Sequence, residues 1–192
     1  GIIVAQPIDP TNLLFRYLTL EDGLPNNKVN AVAGDRFGFI WFGTNDGVCR
    51  YDGLKIKYYI QDHLIGNQAR TSQVSVIRKD SAGNLLIGSY SLFRYNYTLD
   101  RIEQCDTSKG TETTGRVYAI EEGNDGIIWI GSEKGLFSYD VEANILTPHP
   151  SNRKKELTII SLFFDNDKLW ISARNEGLCF YETESGKFSN SD

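Results

Sequence analysis

The chain repeats itself, and the length of the repeat leaves few folds open. GFIWFGTNDGVCRYDG at 38–53 and GIIWIGSEKGLFSYD at 126–140 agree in order and spacing. GNLLIGSYSLFRYN at 83–96 carries the same pattern with Leu86 in the Trp position and one residue fewer before Leu92, and KLWISARNEGLCFYE at 168–182 follows. Trp41, Leu86, Trp129 and Trp170 stand 45, 43 and 41 residues apart. A period of about 43 residues is that of a four-stranded β-propeller blade. A helical solenoid would show apolar spacing near 3.6, and a β-sandwich would not repeat Gly and Trp in register over four units.

Each Trp position is preceded by a matched stretch: VNAVAGD from Val29, VSVIRKD from Val74, VYAIEEG from Val117 and IISLFFD from Ile159. Alternation and turn residues assign the first unit as strand A at 29–34, strand B at 39–44, strand C at 48–52 and strand D at 56–60. Gly38, Gly47 and Gly53 fall where the hairpins need positive φ, and Asn166-Asp167 takes the corresponding turn in the fourth unit. The expected fold is therefore all-β: an N-terminal outer strand and loop at 1–28, then four blades at 29–62, 74–105, 117–148 and 159–192, with helix content close to nil. Ala31, Val76, Ala119 and Ser161 share one position on the innermost strand, where blades crowd. Trp41, Trp129 and Trp170 read as packing between blades rather than as a stacking platform. Cys49 and Cys179 share a strand C position with Phe93 and Phe137 and read as core residues, not as a redox pair.

Composition excludes several functions. A net charge of −5, with a basic cluster at 153–155 closed by Glu156, argues against a phosphate-binding surface and hence against nucleic acid. No apolar run approaches the ~20 residues that cross a bilayer, so no membrane contact is expected of this segment. Cys49, Cys105 and Cys179 lack metal-ligand spacing, so no metal site or cofactor is expected. His63 and His149 sit in polar, loop-like stretches and read as solvent-exposed. A chain that begins at Gly and holds no Met suggests a processed or excised piece of a longer product.

The stretch FRYLTLEDGLPNNKVNAVAGDRFGFIWFGTNDGVCRYDG resembles the opening of the two-component regulator propeller, the periplasmic sensor of hybrid two-component system histidine kinase/response regulators in glycan-degrading bacteria. The matching elements are LTLEDGLPNNKV at 18–29, the turn Asp35 to Gly38, Trp41 to Thr44, and Asp46 to Gly53. Units one and three match most closely; unit two lacks the Trp, and unit four has Ser172 in place of the Gly43 equivalent. The resemblance implies blades of a larger seven-bladed ring in the periplasm, with a kinase part elsewhere in the polypeptide. No Gly-rich nucleotide motif and no phospho-acceptor His occurs in this segment, which is expected to be non-catalytic.

A propeller recognises partners over the face where the B-to-C turns and the entries to strand A converge. Asn45, Asp46, Arg70, Tyr90, Arg116, Glu133, Lys134, Arg174 and Asn175 are the candidate ligand-binding residues there. Planar hydrogen-bonding groups and an aromatic face suit an oligosaccharide; a protein-docking scaffold is the alternative, and a propeller lyase or glycosidase a third reading. Phe15 to Leu18 matches the strand D pattern at 57–60, with no strands A to C before it. The arc is therefore expected to be open, with isolated chains dimerising or aggregating. The competing picture pairs Phe15 to Leu18 with Leu178 to Tyr181 and closes a four-bladed ring.

Overall fold

The computed structural model describes residues 17–59, 73–105, 114–124, 126–151, 156–174 and 176–190. They form four antiparallel sheets of four strands, each in simple sequential order. The first blade is β1 (Val29–Gly34), β2 (Ile40–Thr44), β3 (Gly47–Tyr51) and β4 (Ile56–Tyr59); the second is β5 (Val76–Lys79), β6 (Leu85–Gly88), β7 (Leu92–Asn96) and β8 (Arg101–Gln104). The third is β9 (Val117–Glu122), β10 (Ile128–Ser132), β11 (Gly135–Asp140) and β12 (Ile145–His149); the fourth is β13 (Ile159–Asp165), β14 (Lys168–Ala173), β15 (Gly177–Glu182) and β16 (Lys187–Asn190). Among the described residues the only helical element is a 3-10 turn at Leu20–Asp22. The chain is all-β, as the repeat requires.

Each blade presents one face to its predecessor and the other to its successor, because successive strand residues point to opposite sides. Three apolar cores result, one per junction. Trp41, Val74, Ile77 and Tyr95 centre the first, Leu86, Val117, Ile130 and Phe137 the second, and Trp129, Leu162, Leu169 and Tyr181 the third. Cys49, Phe93, Phe137 and Cys179 all lie buried opposite Phe42, Ile87, Ile130 and Ile171, so the cysteines are core residues, and burial pushes the Cys49 thiol up to about 11.

The glycine of the repeat has a steric cause. A Cβ added to Gly43 would lie 2.5 Å from Val74 Cγ1, one on Gly88 2.7 Å from Val117 Cγ1, and one on Gly131 2.5 Å from Ile159 Cγ2. The β-branched residue at or just before the start of the next blade's inner strand thus seats where only hydrogen fits. Backbone hydrogen bonds run alongside, from Val74 N to Thr44 O (2.9 Å) and from Val117 N to Ser89 O (2.7 Å). Trp41 is closed off between blades with its indole N–H donating to Asp35 Oδ2 at 2.9 Å, while the amides of Phe37 and Phe39 donate to the other oxygen. The second blade keeps the turn carboxylate without the Trp, and Asp80 accepts instead from the Asn84 amide and side chain.

Farther out, the junctions are tied by polar groups. Asp100, held at φ 49°, accepts from Tyr59, Tyr95 and Lys57, joining the first two blades. Burial pushes its carboxyl up, but the hydrogen bonds from Lys57, Tyr95 and Tyr59 outweigh this and hold it well below the usual carboxylate range. Arg78 pairs with Glu121 at 2.7 Å across the second junction.

One expectation about the ends needs correction. The fourth blade has its own outer strand, β16, which pairs along β15 from Glu182 to Cys179, so that edge is not open to Phe15 to Leu18 as the closed-ring picture requires. Tyr17 and Leu18 lie outside any strand, and Phe15 and Arg16 lie outside the described residues. The central blades are the most enclosed: β6 and β10 are buried throughout, whereas Val32 and Ile40 of the first blade and Phe163 of the fourth are exposed. The described blades form an arc with an outward sheet face at each end.

Candidate functional site

The B-to-C turns and the entries to the inner strands share one edge of the arc. In the first and third blades the turn is built identically. Thr44 Oγ1 donates to Gly47 O (2.9 Å) and accepts from Asp46 N, and Ser132 Oγ donates to Gly135 O (3.0 Å) and accepts from Lys134 N. Positive φ at Gly47 and Gly135 closes both. The turns therefore hold Asn45–Asp46 and Glu133–Lys134 in fixed, equivalent places.

Much of the polar equipment on this edge is already engaged. Asp46 accepts from Asn26 Nδ2 at 2.8 Å, and Asn45 Oδ1 accepts from Asn30 Nδ2, which also donates to Val74 O. Glu133 N donates to Arg116 O at 2.8 Å, and the Arg116 amide returns a long bond to Glu133 Oε2. The Arg116 guanidinium donates to Gln73 Oε1, linking the second and third blades, and the Arg174 guanidinium lies 5.7 Å from the Tyr118 ring centroid. Asn45, Asp46, Arg116, Glu133, Lys134 and Arg174 thus line one rim, while Arg70 and Asn175 lie outside the described residues. Tyr90 differs from these. Its ring packs edge-on against Phe93 (centroids 5.3 Å apart), its hydroxyl is shielded from solvent without a partner, and burial pushes its pKa up to about 12.

The 18–29 segment is also structural. Thr19 caps the 3-10 turn, Asp22 accepts back from the Thr19 amide, and Gly23 stops the turn at φ 102°. Asn27 Oδ1 accepts from Leu20 N, and Asn26 braces Asp46. This motif buttresses the first blade's turn.

His149 overturns its sequence reading as a solvated loop residue. It ends strand β12, beyond the expected blade limit at 148, with Nε2 hydrogen bonded to Ser138 Oγ and Nδ1 to Tyr181 Oη, each at 2.8 Å. The ring lies 5.1 Å from Trp129, and burial lowers its pKa. It is a bridge between the third and fourth blades. His63 lies outside the described residues.

Beside this bridge is a pocket of about 350 Å³ that sequence reasoning missed, lined in part by Lys134, Phe137, Pro148, His149, Glu156 and Phe188. Its walls come from the third blade's B-to-C turn, strands β11 and β12, the connection to the fourth blade at Pro150, Ser151, Glu156 and Leu157, and β16. Only Lys134 and Glu156, which the repeat places at a turn and at a strand entry, could have pointed to it. Apolar rings and charged or hydroxyl groups meet there at the lower end of the volumes that hold small ligands. Among the described residues no group of three or more His, Cys, Asp or Glu side chains is placed to hold a metal ion.

Two stretches, residues 23–46 and 111–134, match the family model of the two component regulator propeller. Those two stretches, in the first and third blades, carry the two-component regulator propeller repeat. Histidine kinase P4 of Formosa agariphila is 37% identical over 49 residues, a stretch covering 26% of this chain and 4% of that protein. The extracellular domains of two putative hybrid two component systems from B. thetaiotaomicron share the fold, at TM-scores of 0.75 and 0.71 with 19% and 21% identity; they match 92% and 86% of this chain. This chain covers 26% and 25% of those chains, so it spans about a quarter of their length. Virginiamycin B lyase of Staphylococcus aureus also has the fold, at a TM-score of 0.64 and 16% identity over 84% of this chain and 54% of the lyase. No helix among the described residues is long and apolar enough to cross a membrane.

Proposed function

We propose that this chain is a ligand-sensing segment of a hybrid two-component signalling protein, lying in the periplasm within a larger, seven-bladed propeller and passing its signal to a histidine kinase part of the same polypeptide. The observation that carries the reading is the match of two blades to the regulator propeller repeat, joined to a fold shared with extracellular domains of putative hybrid two component systems. The ligand class is an oligosaccharide. Arg116, Arg174, Asn45 and Lys134 offer donors and acceptors along one rim, and the adjoining pocket offers Pro148 and Phe188 for C–H contacts beneath the hydroxyls of a sugar. Catalysis is not part of this proposal, because the turn carboxylates serve the scaffold: Asp46 is held by Asn26 and Glu133 by the Arg116 amide.

Calorimetry of the complete sensor polypeptide against a panel of plant and host oligosaccharides tests it. A binder weakened by Arg116→Ala, Arg174→Ala or Lys134→Ala is expected. A sensor that ignores every sugar but captures a protein would instead establish the scaffold reading, and turnover of a sugar would establish an enzyme.

A further inference from the structure

The three junctions inside the chain obey one rule of fit. Val74, two residues before β5, and Val117 and Ile159, the first residues of β9 and β13, are each 0% exposed and seat against Gly43, Gly88 and Gly131 of the blade before. At each seat a β-carbon on the glycine would come within 2.7 Å of a γ-carbon of the entering residue. Real atoms do not approach so closely, so a β-branched residue entering there requires a glycine opposite it.

The fourth blade breaks the rule. Ser172 pairs with Ser161 as Gly131 pairs with Ala119 and Gly43 with Ala31, so it occupies the seat and fills it with a β-carbon and a hydroxyl. Trp170, two residues earlier on the same face, is the counterpart of Trp41 and Trp129. Those two are covered by the next blade and are 0% and 5% exposed; Trp170 is half-buried, and Phe163 opposite it is 61% exposed. The Lys168 ammonium lies 4.8 Å from the Phe180 ring centroid at the margin of this face. At the other end of the arc Val29, the first blade's equivalent of Val74, is 37% exposed.

We infer that the outward face of the fourth blade is a socket for a further propeller blade whose innermost strand opens on a residue smaller than valine, and that Ser172 makes this socket refuse the first blade of a second copy of this chain. An aromatic face of the kind that blades cover elsewhere in this molecule marks the occupant as a blade. The solved relatives, of which this chain spans about a quarter, leave ample polypeptide to supply one. Size decides which blade. Val29 of a second copy would bring γ-carbons onto the Ser172 β-carbon, repeating the contact that the internal seats avoid. Without γ-carbons the nearest approach is that of the entering β-carbon, 2.9–3.3 Å at the three internal seats, which a slide of a few tenths of an ångström relieves.

The chain itself serves as the probe, by sedimentation equilibrium together with acrylamide quenching, which reports Trp170 because Trp41 and Trp129 are buried. Ser172→Gly enlarges the seat and Val29→Ala shrinks the entering residue, so each is expected to tighten head-to-tail association roughly tenfold or more over the parent and to protect Trp170 as concentration rises. Val29→Ala combined with Ser172→Val should fall back to the parent. Circular dichroism confirms that each variant is folded. If the parent protects Trp170 as well as Ser172→Gly does, or if neither single variant gains association, the inference is overturned.

Discussion

The tryptophans provide the sharpest test of the arc, because they occupy one repeat position in three surroundings. Trp129 is closed between the third and fourth blades, against His149 and Tyr181 with centroids at 5.1 and 5.4 Å. Aromatic side chains bury about 150–250 Å², which at about 25 cal/mol per Å² amounts to about 4–6 kcal/mol of transfer energy. Measured truncations of buried Trp cost about 3–5 kcal/mol, so Trp129→Ala should cost about 4 kcal/mol. Trp170 lies half-buried on an outward face, so its truncation forfeits only part of the transfer term and leaves no closed cavity; about 1–2 kcal/mol is expected. Trp41→Phe keeps most of the apolar area but removes the donor to buried Asp35, for about 1–3 kcal/mol. Urea unfolding followed by circular dichroism, compared at constant m-value, measures all three. A Trp170→Ala variant as costly as Trp129→Ala would mean that a further surface covers the fourth blade, and the arc would be wrong.

Three further outcomes follow from the titrating and thiol groups. Asp100 has a folded pKa below its ordinary 3.8, so its stabilisation is present above that pH and is lost as the pH falls below it; Asp100→Asn should flatten the acid limb of the stability curve and loosen the first junction. His149 has a folded pKa below its ordinary 6.5 because burial disfavours the imidazolium, so protonation favours the unfolded chain and stability should decline as pH drops through 6.5; in His149→Phe that slope should vanish, at the cost of the bonds to Ser138 and Tyr181. Cys49, buried with its thiol pushed up to about 11, should resist thiol reagents at neutral pH until the chain unfolds, and rapid native-state labelling at Cys49 would contradict its place in the core.

The blades were legible in the sequence because their constraints are steric and recur in register. Gly at 43, 88 and 131, a β-branched residue at or just before the start of the next inner strand and a large apolar residue two positions before the Gly are all consequences of packing one wedge against the next. The site was less legible, for a physical reason. Turn residues such as Asn45, Asp46 and Glu133 have the chemistry of ligand binders and the chemistry of turn builders, and only coordinates show that Asn30, Asn26 and the Arg116 amide engage them. His149 failed as a reading because its partners, Ser138 and Tyr181, come from another strand and another blade. Ser138 is 11 residues away and Tyr181 is 32, and neither distance is a multiple of the repeat.

The divergent units carry as much information as the regular ones. The second blade replaces Trp by Leu86, yet Leu86 is fully buried in the core that joins the second and third blades, where Ile128, Ile130 and Tyr139 supply the missing bulk. Loss of the indole also removes a donor, and Asp80 accordingly turns to Asn84, so the departure is absorbed within the blade. Ser172 has no such compensation among the described residues, because its side chain lies on the outward face that carries Trp170 and Phe163. A departure answered inside the chain is absorbed by the core around it, whereas one left unanswered at an outward face limits what can pack there. That asymmetry makes Ser172, rather than the more conspicuous loss of Trp from the second blade, the residue that bears on how this segment is assembled.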